Sequence, residues 1–297
     1  MESRQVFHLV CVLSGLVALP PGLRAQETDR IGEQVERYLK QREQPGDLLA
    51  GYRDGFFLGT RDGRFRLTLG GRLQTDARFL ESGHPSQNTF LVRRARLHLA
   101  GHVQERFGFK VEGDLGEGSA RLKDGYLNVA FSDRIALRAG QFKEPFGFEE
   151  LTSSRYVSLV ERSLPIDNLA PSRDIGFMVH GKLAGGLLAY QLGAFNGAGD
   201  NLMSDANDDK DLALRLSLRP FQSSGKPVLE GLQLGAAATR GNQEGSLAGE
   251  AFDTAVGTGF LSFAPGVVQD GRRTRLGAEL AWLVGPASLR GEWMQSR

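Results

Sequence analysis

Fifteen residues, FRLTLGGRLQTDARF from Phe65 to Phe79, divide by strict alternation into two faces. Phe65, Leu67, Leu69, Leu73, Ala77 and Phe79 fall on one, and Arg66, Thr68, Arg72, Gln74, Asp76 and Arg78 on the other. A period of two over this length marks a β-strand, because helical faces repeat every 3.6 residues. After Gly55 the pattern recurs in eleven segments: 63–80, 90–103, 106–115, 120–131, 134–142, 173–183, 187–196, 210–220, 229–240, 271–284 and 287–297. No long helix is expected among them.

The connections alternate in length. Gln104-Glu105, Ser132-Asp133, Ala184 to Gly186 and Gly285-Pro286 are tight turns, whereas 81–89, 143–172, 197–209 and 241–270 are long and only 116–119 breaks the rule. Short turns at one end and long loops at the other describe an antiparallel meander of the outer-membrane type. A soluble β-sandwich also alternates, so the strand faces must decide. Leu212, Leu214, Leu216 and Leu218 form one continuous apolar face, and Leu276, Ala278, Leu280 and Trp282 another. Strands this long suit a bilayer, which needs about 9–11 tilted residues per crossing. Hydrocarbon offers no hydrogen bonds, so the expected fold is all-β, a transmembrane antiparallel β-barrel with lipid outside and a wet lumen inside.

On that phase the inner wall carries Arg64, Arg66, Arg72, Arg78, Arg94, Arg96, Lys110, Arg138, Lys182, Arg215, Arg219, Arg275 and Arg290. Against them stand Asp76, Glu112, Asp114, Asp124, Glu279 and Glu292. So many guanidinium groups would be prohibitive in a dry core. In a low-dielectric tube they favour anions over cations through the field they focus. Any one of them could equally be a salt-bridged wall residue, so the collective bias carries the reading.

The first residues, MESRQVFHLVCVLSGLVALPPGLRAQ, join a short basic head to an apolar run of about 14 residues from Val6 to Leu19. That is too short for a membrane-spanning helix, which needs roughly 20, and small Ala25 follows. The expectation is a secretory signal peptide over 1–25, carrying away the single cysteine, Cys11. Its removal takes Arg4, Arg24 and Glu2 and leaves 34 basic and 34 acidic residues, a balance that gives no support to nucleic-acid binding. Ile31, Val35, Tyr38 and Leu39 suggest a periplasmic helical arm in 26–54, ended near Pro45-Gly46, before the barrel of 55–297.

Several stretches resemble the phosphate-selective porin O and P family of outer-membrane channels: FRLTLGGRLQTDARF, FLVRRARLHLAG, LKDGYLNVAF, IALRAGQFKEPFGFEELTSSRYVSLVERS and APSRDIGFMVHG. The resemblance implies a homotrimer of sixteen-stranded barrels set in outer-membrane lipid and lipopolysaccharide. It also implies passive diffusion of small anions such as phosphate or polyphosphate, led by basic residues to a constriction made with the third external loop. It implies no cofactor and no enzymatic activity. The expected anion path is Arg66, Arg72, Arg78, Arg93, Arg94, Arg96, Arg138, Arg215 and Arg219, the Arg93-Arg94 pair by resemblance, since strict alternation turns only Arg94 inward. The expected constriction loop, 143–172, contributes Lys143, Glu150, Arg155 and Arg162. Glu150 stands where phosphate-specific members carry lysine, so Glu150→Lys is expected to tighten phosphate block. About eleven visible strands against sixteen, and an end at GEWMQSR without a terminal aromatic, suggest a truncated chain.

Other chemistry fares less well. His98 and His102 share a strand face about 13 Å apart at roughly 3.3 Å per residue, too far to share one metal. Asp205, Asn207 and Asp209 begin like a calcium loop, but Lys210 and Leu216 replace its required glycine and acid. Ser153, Ser154 and His180 could supply a nucleophile and a base, with no triad spacing to join them. A structural or adhesive barrel is the remaining alternative.

Overall fold

The computed structural model describes residues 48–81, 88–202, 207–247 and 251–297. The signal peptide, most of the arm and Asp205 lie outside these residues. Strands run in chain order: β1 Leu48–Tyr52, β2 Phe56–Thr60, β3 Phe65–Arg78, β4 Thr89–Val103, β5 Phe107–Asp114, β6 Arg121–Ser132, β7 Ile135–Lys143 and β8 Arg173–Leu183. They continue as β9 Leu188–Phe195, β10 Asp211–Leu218, β11 Leu232–Ser246, β12 Ala251–Asp253, β13 Gly259–Ser262, β14 Val268–Val284 and β15 Ala287–Ser296. Each strand pairs with its chain neighbour in one 13-stranded sheet, from which β12 and β13 stand apart as a small hairpin in the β11–β14 connection.

All eleven expected strands form, ten within three residues of their expected bounds, while β11 runs six residues past 240 into the expected loop 241–270. Four were missed. In β1 and β2, LLAGY and FFLGT, the sequence shows no alternation, and the sheet starts at Leu48, inside the segment assigned to the arm.

The two faces fall as the alternation requires. In β3 every odd residue from Phe65 is exposed and every even one partly covered. Leu73, Phe79, Phe90 and Phe177 stand 71–79% open on the outer face, a continuous apolar surface that water would penalise and hydrocarbon accommodates. The inner face is less uniformly polar than expected. Phe142 of β7, Met178 of β8, Phe195 of β9 and Ala213 of β10 pack into a buried cluster with Tyr126 of β6 against it. Tyr126–Phe142 and Phe142–Phe195 meet edge-on with ring centroids 6.0 and 5.4 Å apart, the arrangement favoured by the ring quadrupole.

One irregularity in β4 matters for function. Gln74 pairs with Arg94 and Thr75 with Val92, which leaves Arg93 as an extra residue in a β-bulge. A bulge re-aims side chains locally. It brings Arg93 to the inner face beside Arg94, correcting the strict-alternation phase that turned only Arg94 inward.

Candidate functional site

The segment 144–172 lies along the inner face. Its first helical turn, α1 (Phe148–Leu151), starts at Gly147, whose φ of +74° is a left-handed conformation that suits glycine. Both ends of α1 are held by charge. At the start, Glu292 of β15 accepts from the backbone N–H of Phe148 at 2.7 Å and of Glu149 at 2.6 Å. At the end, Arg162 donates to the carbonyls of Glu149, Glu150 and Thr152 at 3.2, 3.3 and 2.8 Å. A carboxylate at the N-terminal amides and a cation at the C-terminal carbonyls are the favoured polarity.

The remainder of the segment, including α2 (Leu164–Leu169), reaches the opposite wing of the sheet. Arg72 of β3 donates to Ser154 Oγ at 2.6 Å. Arg93 Nε donates to Glu161 Oε1 at 2.8 Å, and Arg94 Nη2 donates to Glu161 Oε2. The loop therefore spans from β3 and β4 to β15 across the inner face. A second crossing runs above it: Asp253 N donates to Asn168 Oδ1 at 2.8 Å, Asn168 Nδ2 to Asp253 O at 3.0 Å, and Arg78 Nη1 to Val256 O at 3.3 Å.

The basic residues singled out in the sequence sort into two groups. Arg96 pairs with Asp114 at 2.6 Å, Arg215 with Glu279 at 2.6 Å, and Arg78 with Asp76 at 3.8 Å. Arg93 and Arg94 share Glu161, and Arg93 also meets Glu117 at 2.7 Å. Lys143 and Arg162 both pair with Glu150 at 3.2 Å. In the second group, Arg66, Arg72, Arg138, Arg155 and Arg219 make no ion pair with a described carboxylate. Arg66 lies 4.1 Å from the centre of the Phe57 ring, Arg138 lies 4.4 Å from that of Tyr126, and Arg219 donates to Gln233 at 3.2 Å. Arg72 and Arg155 both line a cavity of about 240 Å³ that also receives Arg96, His98 and Lys110, with Asp54 and Glu112 as its carboxylates.

Glu150 does not face that cavity. It is buried between Lys143 and Arg162, with Ser172 Oγ 3.3 Å away. Sequence reasoning placed Glu292 on the inner wall and Glu161 among the acidic residues of the loop but not their partners, because nothing in their local spacing says which distant strand or turn they meet. The residues weighed as nucleophile and base serve separate partners: Ser154 accepts from Arg72, while His180 Nε2 lies 2.7 Å from Asn128 Oδ1.

At the root of the loop, the Glu144 side chain is buried and its Oε2 has no hydrogen-bond partner. Burial pushes its carboxyl up to about 8, with Arg275 pulling the other way and Asp174 and Asp211 adding to the rise. A carboxyl raised above its unfolded value holds a proton in the folded state that the unfolded chain has released, so stability falls as pH rises through the window from about 4.5 to 8. The melting temperature in detergent is expected to drop between about pH 4.5 and 8. Glu144→Gln, neutral throughout, should flatten that drop; an equal drop in the variant would remove Glu144 as its source.

Known proteins frame these observations. Porin O of Pseudomonas aeruginosa is 26% identical over 283 residues, covering 84% of this chain and 62% of its own length. An uncharacterized protein of Aquifex aeolicus is 26% identical over 170 residues, covering 46% of this chain and 41% of its own. The chain thus spans about three fifths of the Porin O sequence or less of these curated relatives. Among solved structures, OpdL of Pseudomonas aeruginosa aligns over 82% of this chain and 66% of its own at 14% identity and a TM-score of 0.32. The trimer form of OmpT from Vibrio cholerae aligns over 78% and 88% at 12% identity and a TM-score of 0.26. A family model for the phosphate-selective porin O and P proteins matches residues 67–297, from the first long strand to the last residue, and the chain belongs to that family of the bacterial outer membrane.

Proposed function

We propose that this chain lines a water-filled passage through the outer membrane for passive diffusion of small solutes, with a preference for anions, phosphate and polyphosphate among them. The observation that carries the reading is the pair Arg72 and Arg155, which make no ion pair with a described carboxylate and face one cavity of about 240 Å³ whose lining of Arg72, Arg96, Lys110 and Arg155 against Asp54 and Glu112 is basic on balance. The hydrogen bond given by Arg72 goes to a hydroxyl, that of Ser154. Unpaired guanidiniums in a water-filled, low-dielectric tube lower the barrier to anions and raise it for cations. Wall arginines already paired to carboxylates add little net field, so the preference rests on fewer residues than the sequence count implies. A signal peptide over 1–25 and a homotrimer in lipid and lipopolysaccharide belong to the same proposal, the latter supported by family membership.

Planar bilayers test it. The protein should insert with discrete conductance steps, which an adhesive barrel or an enzyme would not give. In a potassium chloride gradient the reversal potential should take the sign of chloride preference. Arg72→Ala with Arg155→Ala should lower the chloride-to-potassium permeability ratio several-fold. A reversal potential near zero in the parent chain would end the anion reading while leaving the porin.

A further inference from the structure

The Arg93–Arg94 pair is an anion site that the chain already fills from within. Arg93 presents Nε and Nη2 to Glu161 at 2.8 and 3.4 Å, and its Nη1 goes to Glu117 at 2.7 Å. Arg94 gives Nη2 to the same Glu161 carboxylate and Nη1 to Gln74 Oε1 at 2.7 Å, and it is only 5% exposed. Two guanidiniums converging on two oxygens reproduce what an incoming oxyanion would meet. The forks that could greet such an ion are occupied, and with Glu117 counted the cluster carries no net charge.

We propose that Glu161 is the specificity-determining residue of this passage: a tethered carboxylate that competes with permeating oxyanions for the Arg93–Arg94 site and so keeps phosphate binding weak. The inference rests on the anion-channel reading and deepens it. A covalently held competitor acts at an effective concentration set by its tether, and short tethers give values in the millimolar range or above. Free phosphate must exceed that before it displaces the carboxylate. Glu161 is well suited to compete, because it stays charged: burial alone would raise its carboxyl, but hydrogen bonds from Arg94 and Arg93 outweigh that and hold it below the ordinary value. Its removal need not release the loop, which is also tied by Arg72–Ser154, by Glu292 to the start of α1 and by Arg290–Ser158 at 3.4 Å.

The test is inorganic phosphate block of chloride current through single channels. Glu161→Gln is expected to lower the half-blocking phosphate concentration at least tenfold. Asp167→Asn removes one acidic group from the same loop that feels Arg93 only at longer range and makes no hydrogen bond or ion pair with the arginine pair among the described residues, and is expected to shift block less than twofold. Glu161→Ala provides the second variant: added formate should compete with phosphate there and leave block of the parent chain unaltered, since the vacancy exists only in the variant. Equal phosphate block in the parent chain, Glu161→Gln and Asp167→Asn, in channels that still prefer chloride, would overturn the role of Glu161 alone. A parent chain that forms no chloride-preferring channel would overturn the underlying reading instead, and the two failures are thereby distinguished.

Discussion

Glu150→Lys is expected to prevent the loop from folding against the wall, and to reduce assembly of the folded protein, rather than to strengthen phosphate binding. The sequence suggested the opposite, because a carboxylate near a constriction should repel phosphate. In the structure the Glu150 side chain sits in a closed pocket of charge, 3.2 Å from both Lys143 Nζ and Arg162 Nε. Lysine there would leave two covered cations with backbone carbonyls but no counter-charge and place a third cation among them. Removing one member of a buried ion pair costs about 3–5 kcal/mol. Repulsion between like charges adds about 4 kcal/mol for a pair 4 Å apart at an effective dielectric of 20. Set against a typical total of about 5–15 kcal/mol for unfolding a whole protein, the sum is large enough to undock the loop. Glu150→Gln should cost less, since an amide oxygen still accepts from Arg162. Trypsin reads the outcome directly: Lys143, Arg155 and Arg162 should be cleaved quickly in Glu150→Lys and slowly in the parent. A variant that resists trypsin like the parent and binds phosphate more tightly would put Glu150 in the water-filled path and reverse this conclusion.

What the sequence disclosed and what it hid follow from the range of each interaction. The period-two pattern is local, so the eleven long strands and their outward leucines and phenylalanines were legible from Phe65 onward. Arg93 was misplaced because a single inserted residue inverts the phase of everything beyond it, and no residue type in FLVRRARL announces the bulge. The inner cluster of Phe142, Met178 and Phe195 escaped for another reason: a period-two reading takes the inner face as polar wherever some of its residues are charged. Pairings across 67 or 144 positions, such as Arg94–Glu161 and Glu292–Phe148, have no local signature at all. Counting inward charges therefore overstated the basic bias. The wall does carry the arginines expected of it, but the chain brings its own carboxylates to about half of them.

Glu292→Ala is expected to give the largest change in conductance, because that side chain makes the shortest hydrogen bonds joining the loop to the far wing of the sheet, with Arg290–Ser158 at 3.4 Å beside it. In register, Glu292 stands opposite Glu279 on β14, a like-charge pair that would ordinarily weaken a sheet. The conflict is relieved on both sides. Glu279 is taken by Arg215 at 2.6 Å, and Glu292 by the two amides at the start of α1. Those amides are among the donors that a helix start leaves unsatisfied, so neither has a substitute partner once the carboxylate goes. Hydrogen bonds to a charged group contribute about 1.5–3 kcal/mol each, and the partial exposure of Glu292 argues for the lower end. About 3 kcal/mol would then separate docked from undocked α1 relative to the parent, a change of roughly a hundredfold in that equilibrium. Single channels of Glu292→Ala should open wider and flicker, while chloride preference persists, since Arg72, Arg93 and Arg94 remain on the opposite wing. Glu161→Gln makes the informative contrast, changing phosphate block with little change in conductance because α1 stays docked. Should Glu292→Ala instead conduct and resist trypsin like the parent, the loop would owe its position to its other contacts, those to β3 and β4 and Arg290–Ser158 among them, and the constriction would have to be sought beside Arg72 and Arg155.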